Sequence, residues 1–174
     1  ESEDGELNIY RDYEFYICIF YCNELFSKTI ITITTPELER VSFSGNVKGE
    51  MDEFTTENFS ARFSGNANFL MSVISETFDL RITGSGVATL AGSTDDLSIK
   101  LSGSSKIHGY DLHAKNTTVK SSGSAKIQLS VEDSLDVRSS GSTKVTYIDL
   151  GEVVITERIS GSGSVEEISS DMVQ

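Results

Sequence analysis

The chain has 174 residues, a mass of 19.0 kDa and a formal net charge of −13 at pH 7. This length suits one domain with a substantial core and is short for two. The acidic excess argues against nucleic acid as a partner, because the net field repels phosphate. Apolar residues make up 37% of the chain, which excludes a disordered polypeptide. No apolar run approaches the ~20 residues of a membrane-spanning helix, so no transmembrane span is expected.

The first segment, residues 1–34, is predicted to form N-terminal strands that cap the rest of the domain. Its stretch Tyr16–Cys22 is rich in β-branched and aromatic residues, which indicates a strand. On a strand, Cys18 and Cys22 would lie roughly 13 Å apart, beyond disulfide reach, so two free thiols are expected. The cysteines and the two histidines show no zinc-ligand spacing. No metal and no cofactor are therefore expected.

From residue 35 to residue 168, a hydroxyl or amide side chain and a glycine recur together at regular intervals. Successive glycines of this pair are 18 to 20 residues apart. The seven glycines are Gly45, Gly65, Gly84, Gly103, Gly123, Gly141 and Gly161. Self-similarity at a fixed period is typical of repeat proteins. Residues 35–168 are therefore predicted to be repeat coils of the same single domain, and residues 169–174 a tail.

Positions at even distances from each glycine are mostly apolar or small. The position two residues before it holds Phe43, Phe63, Ile82, Leu101, Ser121, Ser139 and Ile159. Alternation with period two is the signature of strands with one buried face. The even positions are thus predicted to point inward. Ser121 and Ser139 are expected to bond to each other or to backbone, because an unpaired buried hydroxyl costs ~1–3 kcal/mol.

A strand repeated every ~19 residues without a helical segment predicts an all-β fold, a single-stranded right-handed parallel β-helix, or solenoid. Its coils would stack ~4.8 Å apart, and parallel crossovers are generally right-handed. A leucine-rich repeat needs an asparagine ladder and a helical segment, and a propeller blade needs about 40 residues or more. A β-sandwich gives no reason for so regular a glycine. The repeat glycines are interpreted as structural corners with positive φ or close backbone approach, rather than as a phosphate loop.

The stretch Thr35–Gly45, followed by repeated Ser-Gly-Ser units, resembles the bacterial family of putative auto-transporter adhesins, head GIN domain. The resemblance covers roughly residues 5–168, and Asp4–Ile9 looks like the short strand that precedes the coils in that family. It implies a right-handed parallel β-helix and a role in adhesion or surface binding. It also implies export to the cell envelope, at the outer surface or in the periplasm. Lipid anchoring through a leader absent from this chain is one route of attachment.

The segment Tyr10–Phe26 departs from the family pattern because it is richer in apolar and aromatic residues. Two interpretations are open. The segment caps the open end of the coils, or it forms a contact with another chain, which would make the protein an oligomer.

Odd positions should face solvent, and two of them carry most of the positive charge. Six of the seven residues that lie three before a repeat glycine are basic, as are four of the seven that lie three after it. Candidate binding residues are Arg62, Arg81, Lys100, Lys120, Arg138 and Arg158 in the first basic column, and Lys106, Lys126 and Lys144 in the second. With the hydroxyls and amides beside each glycine, stacked coils would present a stripe about 30 Å long.

Two interpretations of this stripe are open. In one, nearby Asp79, Asp136 and Asp96 neutralise the cations, whose long stems cover the surface. In the other, the stripe is a groove for an anionic polysaccharide, with hydroxyls that match those of the sugars. Taken with the family resemblance, the stripe implies a non-catalytic, adhesin-like binding module whose partner is a cell-surface glycan or a host or envelope component.

An enzyme and a structural protein are the alternatives. A pectinase-like polysaccharide lyase or hydrolase needs carboxylates that converge on one face, but only Asp111 and Asp149 share an offset from the glycines, two coils apart. His108 and His113 have opposite parities. No acidic cluster fits a calcium loop.

A self-assembling envelope protein is the other alternative, because open strand edges template further pairing. Acidic residues near both ends nevertheless favour a discrete particle.

Overall fold

The computed structural model describes residues 2–3, 6–8 and 38–172. The elements are β1 (Ser2–Glu3), β2 (Glu6–Asn8), β3 (Arg40–Asp149), β4 (Val154–Ser160) and β5 (Ser164–Glu167), followed by a short 3₁₀ turn at residues 170–172. The expectations for Tyr10–Phe26, and with it for Cys18 and Cys22, lie outside the described residues.

All five strands belong to one sheet, which confirms the all-β class. Strand β1 pairs antiparallel with β2, whereas β2, β4 and β5 each pair parallel with β3. The strand β2 falls within Asp4–Ile9, where a short strand before the repeats is expected. Within the described residues, no helix is both long and apolar enough to cross a membrane.

The strand β3 contains 110 residues and folds back beside itself once in every sequence repeat. A straight strand of this length would extend about 360 Å. Instead, side chains one repeat apart are bonded to each other: Thr77 Oγ1 donates to Asn58 Oδ1 at 2.7 Å, and Ser134 Oγ donates to Asn116 Oδ1 at 2.8 Å. The strand β4 continues this register, because Arg158 lies beside Arg138. Successive repeats therefore lie side by side, and the last part of β3 is paired in parallel with β4 and β5.

The repeat glycines lie above one another and form one edge of the stack, the glycine edge. All seven have φ between 97° and 125°, a region that disfavours a side chain. A Cβ on Gly84 would lie 2.5 Å from the carbonyl oxygen of Gly65, whereas a Cβ on Gly45, the first of the series, meets nothing within 4 Å. Glycine is thus required both by backbone conformation and by the close approach of successive repeats.

The core lies along the even positions, as the alternation predicts. Between Phe63 and Ser139, every residue two before a repeat glycine is buried, while the end members Phe43 and Ile159 are half-buried. At the N-terminal end of this core, the ring of Phe69 stacks on Phe63 with centroids 4.1 Å apart. The same ring occupies the space that a side chain on Gly49 would take. The inward orientation of the even positions is confirmed for the central repeats, whereas Ile155 and Glu157 of the last repeat are exposed.

The hydrogen-bond partners predicted for Ser121 and Ser139 are wrong. Both are buried, at 7% and 6% exposure, as the alternation requires. However, Ser121 Oγ accepts a hydrogen bond from Thr143 Oγ1 at 2.9 Å, and among the described residues Ser139 Oγ has no partner. The reason is that buried Thr143, two residues after Gly141, points into the same interior space and supplies the donor to Ser121.

This difference predicts opposite effects for two matched substitutions. Ser121→Ala is expected to cost about 1–3 kcal/mol of unfolding free energy, because it removes the partner of the buried Thr143 hydroxyl. Ser139→Ala is expected to be neutral or stabilising, because it removes an unpaired polar group. Urea denaturation followed by circular dichroism measures both. Equal losses in the two variants would show that Ser139 has a partner after all.

Candidate functional site

The basic columns line two open grooves, one on each side of the glycine edge. Groove A has a volume of ≈ 580 Å³ and is lined by Arg81, Lys100, Lys120, Arg138 and Arg158, together with hydroxyl side chains. Groove B has a volume of ≈ 660 Å³ and contains Lys48, Lys106 and Lys126. The single stripe expected from the sequence is therefore divided, because the chain turns at each glycine. Arg62 and Lys144 are exposed but line neither groove.

Groove A brings together five of the nine candidate binding residues. Each occupies the position three before a repeat glycine, so the parallel register places them one above another on neighbouring repeats. Alternate residues of the same strands, such as Leu101 and Ser121, point inward and hold these strands on the core. In the neighbouring column, one residue before each glycine, lie the exposed hydroxyls of Thr83, Ser102 and Ser122. The groove thus combines a row of positive charges with a row of hydrogen-bonding groups.

Groove B is more polar than charged. Its three lysines are accompanied by the amides of Asn46, Asn66 and Asn68 and by serine hydroxyls. Amides and hydroxyls both donate and accept hydrogen bonds. This face can therefore bind neutral polar groups, and its lower density of cations makes it the weaker candidate for a polyanion.

Two aspartates neutralise part of the first basic column. Lys100 Nζ lies 3.4 Å from Asp79 Oδ1, and Arg138 donates two hydrogen bonds to Asp136, the shorter at 2.7 Å. The third aspartate expected in this role, Asp96, instead accepts a hydrogen bond from the Asn116 amide at 3.1 Å. Its assignment to the stripe is therefore wrong, because its position, seven before Gly103, lies in a separate polar ladder.

The remaining cations of the first column have no ion-pair partner among the described residues. Those residues are Arg62, Arg81, Lys120 and Arg158. In the second column, Lys144 pairs with Glu166 at 2.7 Å. This hydrogen bond, helped by one from Ser164, lowers the pKa of the Glu166 carboxyl. Neutralisation thus applies to some cations and leaves others available to an anion.

Two of the side chains considered for an enzyme site, Asp149 and His108, have structural partners. The Asp149 carboxylate accepts hydrogen bonds from the backbone N–H groups of Gly151 at 2.8 Å and Val153 at 3.4 Å, so it holds the turn between β3 and β4. The His108 ring contacts the Gln128 side chain on the next repeat. In the part of the chain that the structure describes, no three His, Cys, Asp or Glu side chains are placed to hold a metal ion.

Sequence reasoning missed a ladder of polar side chains seven positions before the glycines. In it, Thr77 bonds to Asn58, Asn116 bonds to Asp96, and Ser134 bonds to Asn116. The signal was available, because Asn, Thr, Asp, Asn and Ser occupy this position in five successive repeats. The ladder satisfies amide and hydroxyl groups between repeats and so fixes their register.

Comparisons with known proteins show the family of the chain and solved structures of similar fold. The family model described as "Putative auto-transporter adhesin, head GIN domain" matches residues 1–149. A "putative adhesin" from Bacteroides fragilis is similar in structure, with a TM-score of 0.69 and 21% identity, over 77% of this chain and 62% of that one. A "putative adhesin" from Parabacteroides merdae has a TM-score of 0.65 and 17% identity, over 76% and 65%.

A further structural relative carries a different description. A "putative lipid binding protein" from Parabacteroides distasonis has a TM-score of 0.60 and 19% identity, over 76% of this chain and 63% of that one. The chain thus spans slightly less than two thirds of these solved structures, with which it shares a fold. No curated protein matches it. Because the family model matches most of its length, the chain belongs to the family of putative auto-transporter adhesins with a head GIN domain.

Proposed function

We propose that the chain is a non-catalytic, adhesin-like binding module of the bacterial cell envelope and that groove A binds an anionic polysaccharide. The observation that carries the proposal is the composition of groove A. Five cations line it, and the described lining residues include no carboxylate, in a chain of net charge −13. A cleft lined by one sign of charge attracts ligands of the opposite sign despite the net charge of the molecule.

The proposed scaffold for this groove is a right-handed parallel β-helix with coils of about 19 residues. Its support is the parallel pairing of residues 20 apart in β3 and β4, and the contact of each repeat glycine with the preceding one. Right-handedness follows the general preference of parallel crossovers. Such a scaffold fixes cations at regular intervals on a rigid surface, which suits a regular polymer better than a compact ligand.

The polar groups of groove A also favour binding of a sugar polymer. The exposed hydroxyls of Thr83, Ser102, Ser122 and Ser140 form a column beside the cations. Hydroxyls can both donate to and accept from the hydroxyls of a pyranose ring. Long flexible cations also adapt to a ligand at modest desolvation cost, because their heads remain in water.

Export to the cell envelope is part of the proposal, with a lipid anchor as the route of attachment that the family resemblance implies. The family is named for adhesins, which act at cell surfaces. A cell-surface glycan, of the host or of the envelope, is the corresponding partner. Lipid binding, by analogy with one structural relative, is an alternative outcome that the experiment below distinguishes.

The test compares two triple variants with equal changes in charge. Arg81→Gln with Lys120→Gln and Arg158→Gln removes three unpaired cations from groove A, whereas Lys48→Gln with Lys106→Gln and Lys126→Gln removes three from groove B. We expect affinity for immobilised acidic glycans to fall about tenfold or more in the first variant and by less than about threefold in the second. Added salt should weaken wild-type binding.

Three results would contradict this proposal. Equal losses in the two variants would assign binding to net charge rather than to groove A. Cleavage of the glycan during incubation would make the protein a lyase or hydrolase. Binding to anionic lipid vesicles, without binding to any acidic glycan, would place the protein with its lipid-binding relative.

A further inference from the structure

The cations of groove A alternate between paired and unpaired along the stack. In order along the groove, Arg81 is unpaired, Lys100 is paired with Asp79, Lys120 is unpaired, Arg138 is paired with Asp136, and Arg158 is unpaired, among the described residues. The two paired residues are thus on every second repeat. An ion pair presents little net charge to a ligand, whereas an unpaired guanidinium or ammonium group presents a full one.

The spacing of the unpaired cations follows from the spacing of the strands. Neighbouring repeats pair in parallel, with Arg138 beside Arg158, and paired strands lie about 4.8 Å apart. Unpaired cations on alternate repeats are therefore about 10 Å apart along the groove. Three of them, Arg81, Lys120 and Arg158, mark out a line of about 19 Å.

We propose that groove A selects a linear polysaccharide that carries one anionic group per disaccharide, with the sugar chain running along the stacking direction. This inference rests on the proposed function and specifies its ligand class. Two linked pyranose rings in an extended chain span about the distance between alternate repeats. One carboxylate per disaccharide would then meet each unpaired cation in turn.

The ion-paired cations favour a neutral sugar at the position between two anionic sugars. The carboxylates of Asp79 and Asp136, which pair with Lys100 and Arg138 and flank groove A without lining it, are partly exposed, at 33% and 29%. Asp136 lies on the same repeat as Arg138, and Asp79 lies on the repeat before Lys100. A carboxylate accepts hydrogen bonds from sugar hydroxyls, and it repels a second carboxylate brought close to it. A polymer with an anionic group on every sugar would therefore place a charge opposite each of the two ion pairs, near these aspartates. The aspartates thus act as an element that disfavours the wrong ligand.

The experiment uses two probes that carry four carboxylates each. A hyaluronan octasaccharide has one carboxylate per disaccharide, whereas tetragalacturonate has one on every ring. Dissociation constants are measured by calorimetry at low and at physiological salt. We expect the full chain to bind the octasaccharide at least about fivefold more tightly than the tetramer.

A double variant tests the role assigned to the aspartates. Asp79→Asn with Asp136→Asn frees Lys100 and Arg138, so it is expected to tighten tetragalacturonate binding and to reduce the preference for the octasaccharide at least about threefold. Asp95→Asn with Asp133→Asn makes the same change in charge at exposed positions that do not line groove A. This control is expected to affect the two probes equally.

The results separate this inference from the function on which it rests. Equal affinity for the two probes, or an equal response of both to the Asp79 and Asp136 substitutions, overturns the alternating ligand but leaves polysaccharide binding in place. Failure of both probes, and of other acidic glycans, to bind overturns the proposed function and this inference together. Binding of tetragalacturonate alone overturns the alternation and supports a uniformly charged polymer.

Discussion

Replacement of Gly84 by alanine is expected to cost at least about 3 kcal/mol of unfolding free energy. Two effects combine. Gly84 has φ +113°, where a side chain strains the backbone by roughly 1–3 kcal/mol. In addition, the new Cβ would lie 2.5 Å from the carbonyl oxygen of Gly65. That oxygen belongs to a paired backbone and cannot move without displacing the preceding repeat. Chemical denaturation followed by far-ultraviolet circular dichroism measures the loss.

Gly45 provides the matched control for this substitution. Its φ of +103° is similar, but a Cβ there meets nothing within 4 Å. Gly45→Ala should therefore show the conformational strain alone and lose roughly 1–3 kcal/mol. If Gly84→Ala costs no more than Gly45→Ala, the close contact between successive glycines does not exist in solution.

Truncation of Phe69 to alanine is expected to cost about 3–5 kcal/mol, because it opens a cavity in the N-terminal part of the core. The ring is 2% exposed and stacks on both Phe43 and Phe63, with centroid distances of 5.0 and 4.1 Å. It also fills the space left by Gly49 on the preceding repeat. Since glycine has no side chain to shift, the cavity cannot close by local repacking. Denaturation of the full chain in urea measures the effect.

The neighbouring Leu70 serves as the control. It lies on the opposite face of the same strand and is 44% exposed, so Leu70→Ala should change stability by no more than about 0.5–1 kcal/mol. A loss below about 1 kcal/mol for Phe69→Ala would show that the three rings do not form a closed core.

The periodic part of this fold could be predicted from the sequence, and the reason is geometric. Strand side chains alternate with period two, so the distance of a residue from its repeat glycine decides whether it is buried. Thus Leu80, Ile99 and Val119, each four before a glycine, are fully buried, and Arg81, one position later, is exposed. Contacts that depend on rotamers, such as the bond from Thr143 to Ser121, do not follow from this rule.

The grooves could be predicted only in part. The columns of cations follow from spacing, but the angle through which the chain turns at each glycine does not, and this angle separates groove A from groove B. The ion-pair partner of Asp79 likewise cannot be predicted from the spacing of residues alone. Asp79 lies two residues before Arg81 and one repeat below Lys100, and both are within reach of its side chain by register. The structure pairs it with Lys100, and this choice produces the alternation along groove A.

The contact of each corner glycine with its predecessor also bears on how such a molecule changes length. Gain or loss of one whole repeat leaves every remaining corner intact, because each corner depends only on its neighbours. The order of paired and unpaired cations responds differently. An odd number of extra repeats inserted in the middle of groove A would put its two halves out of phase, whereas an even number would keep them in step. Relatives that bind the same ligand should therefore differ in length by pairs of repeats within this region.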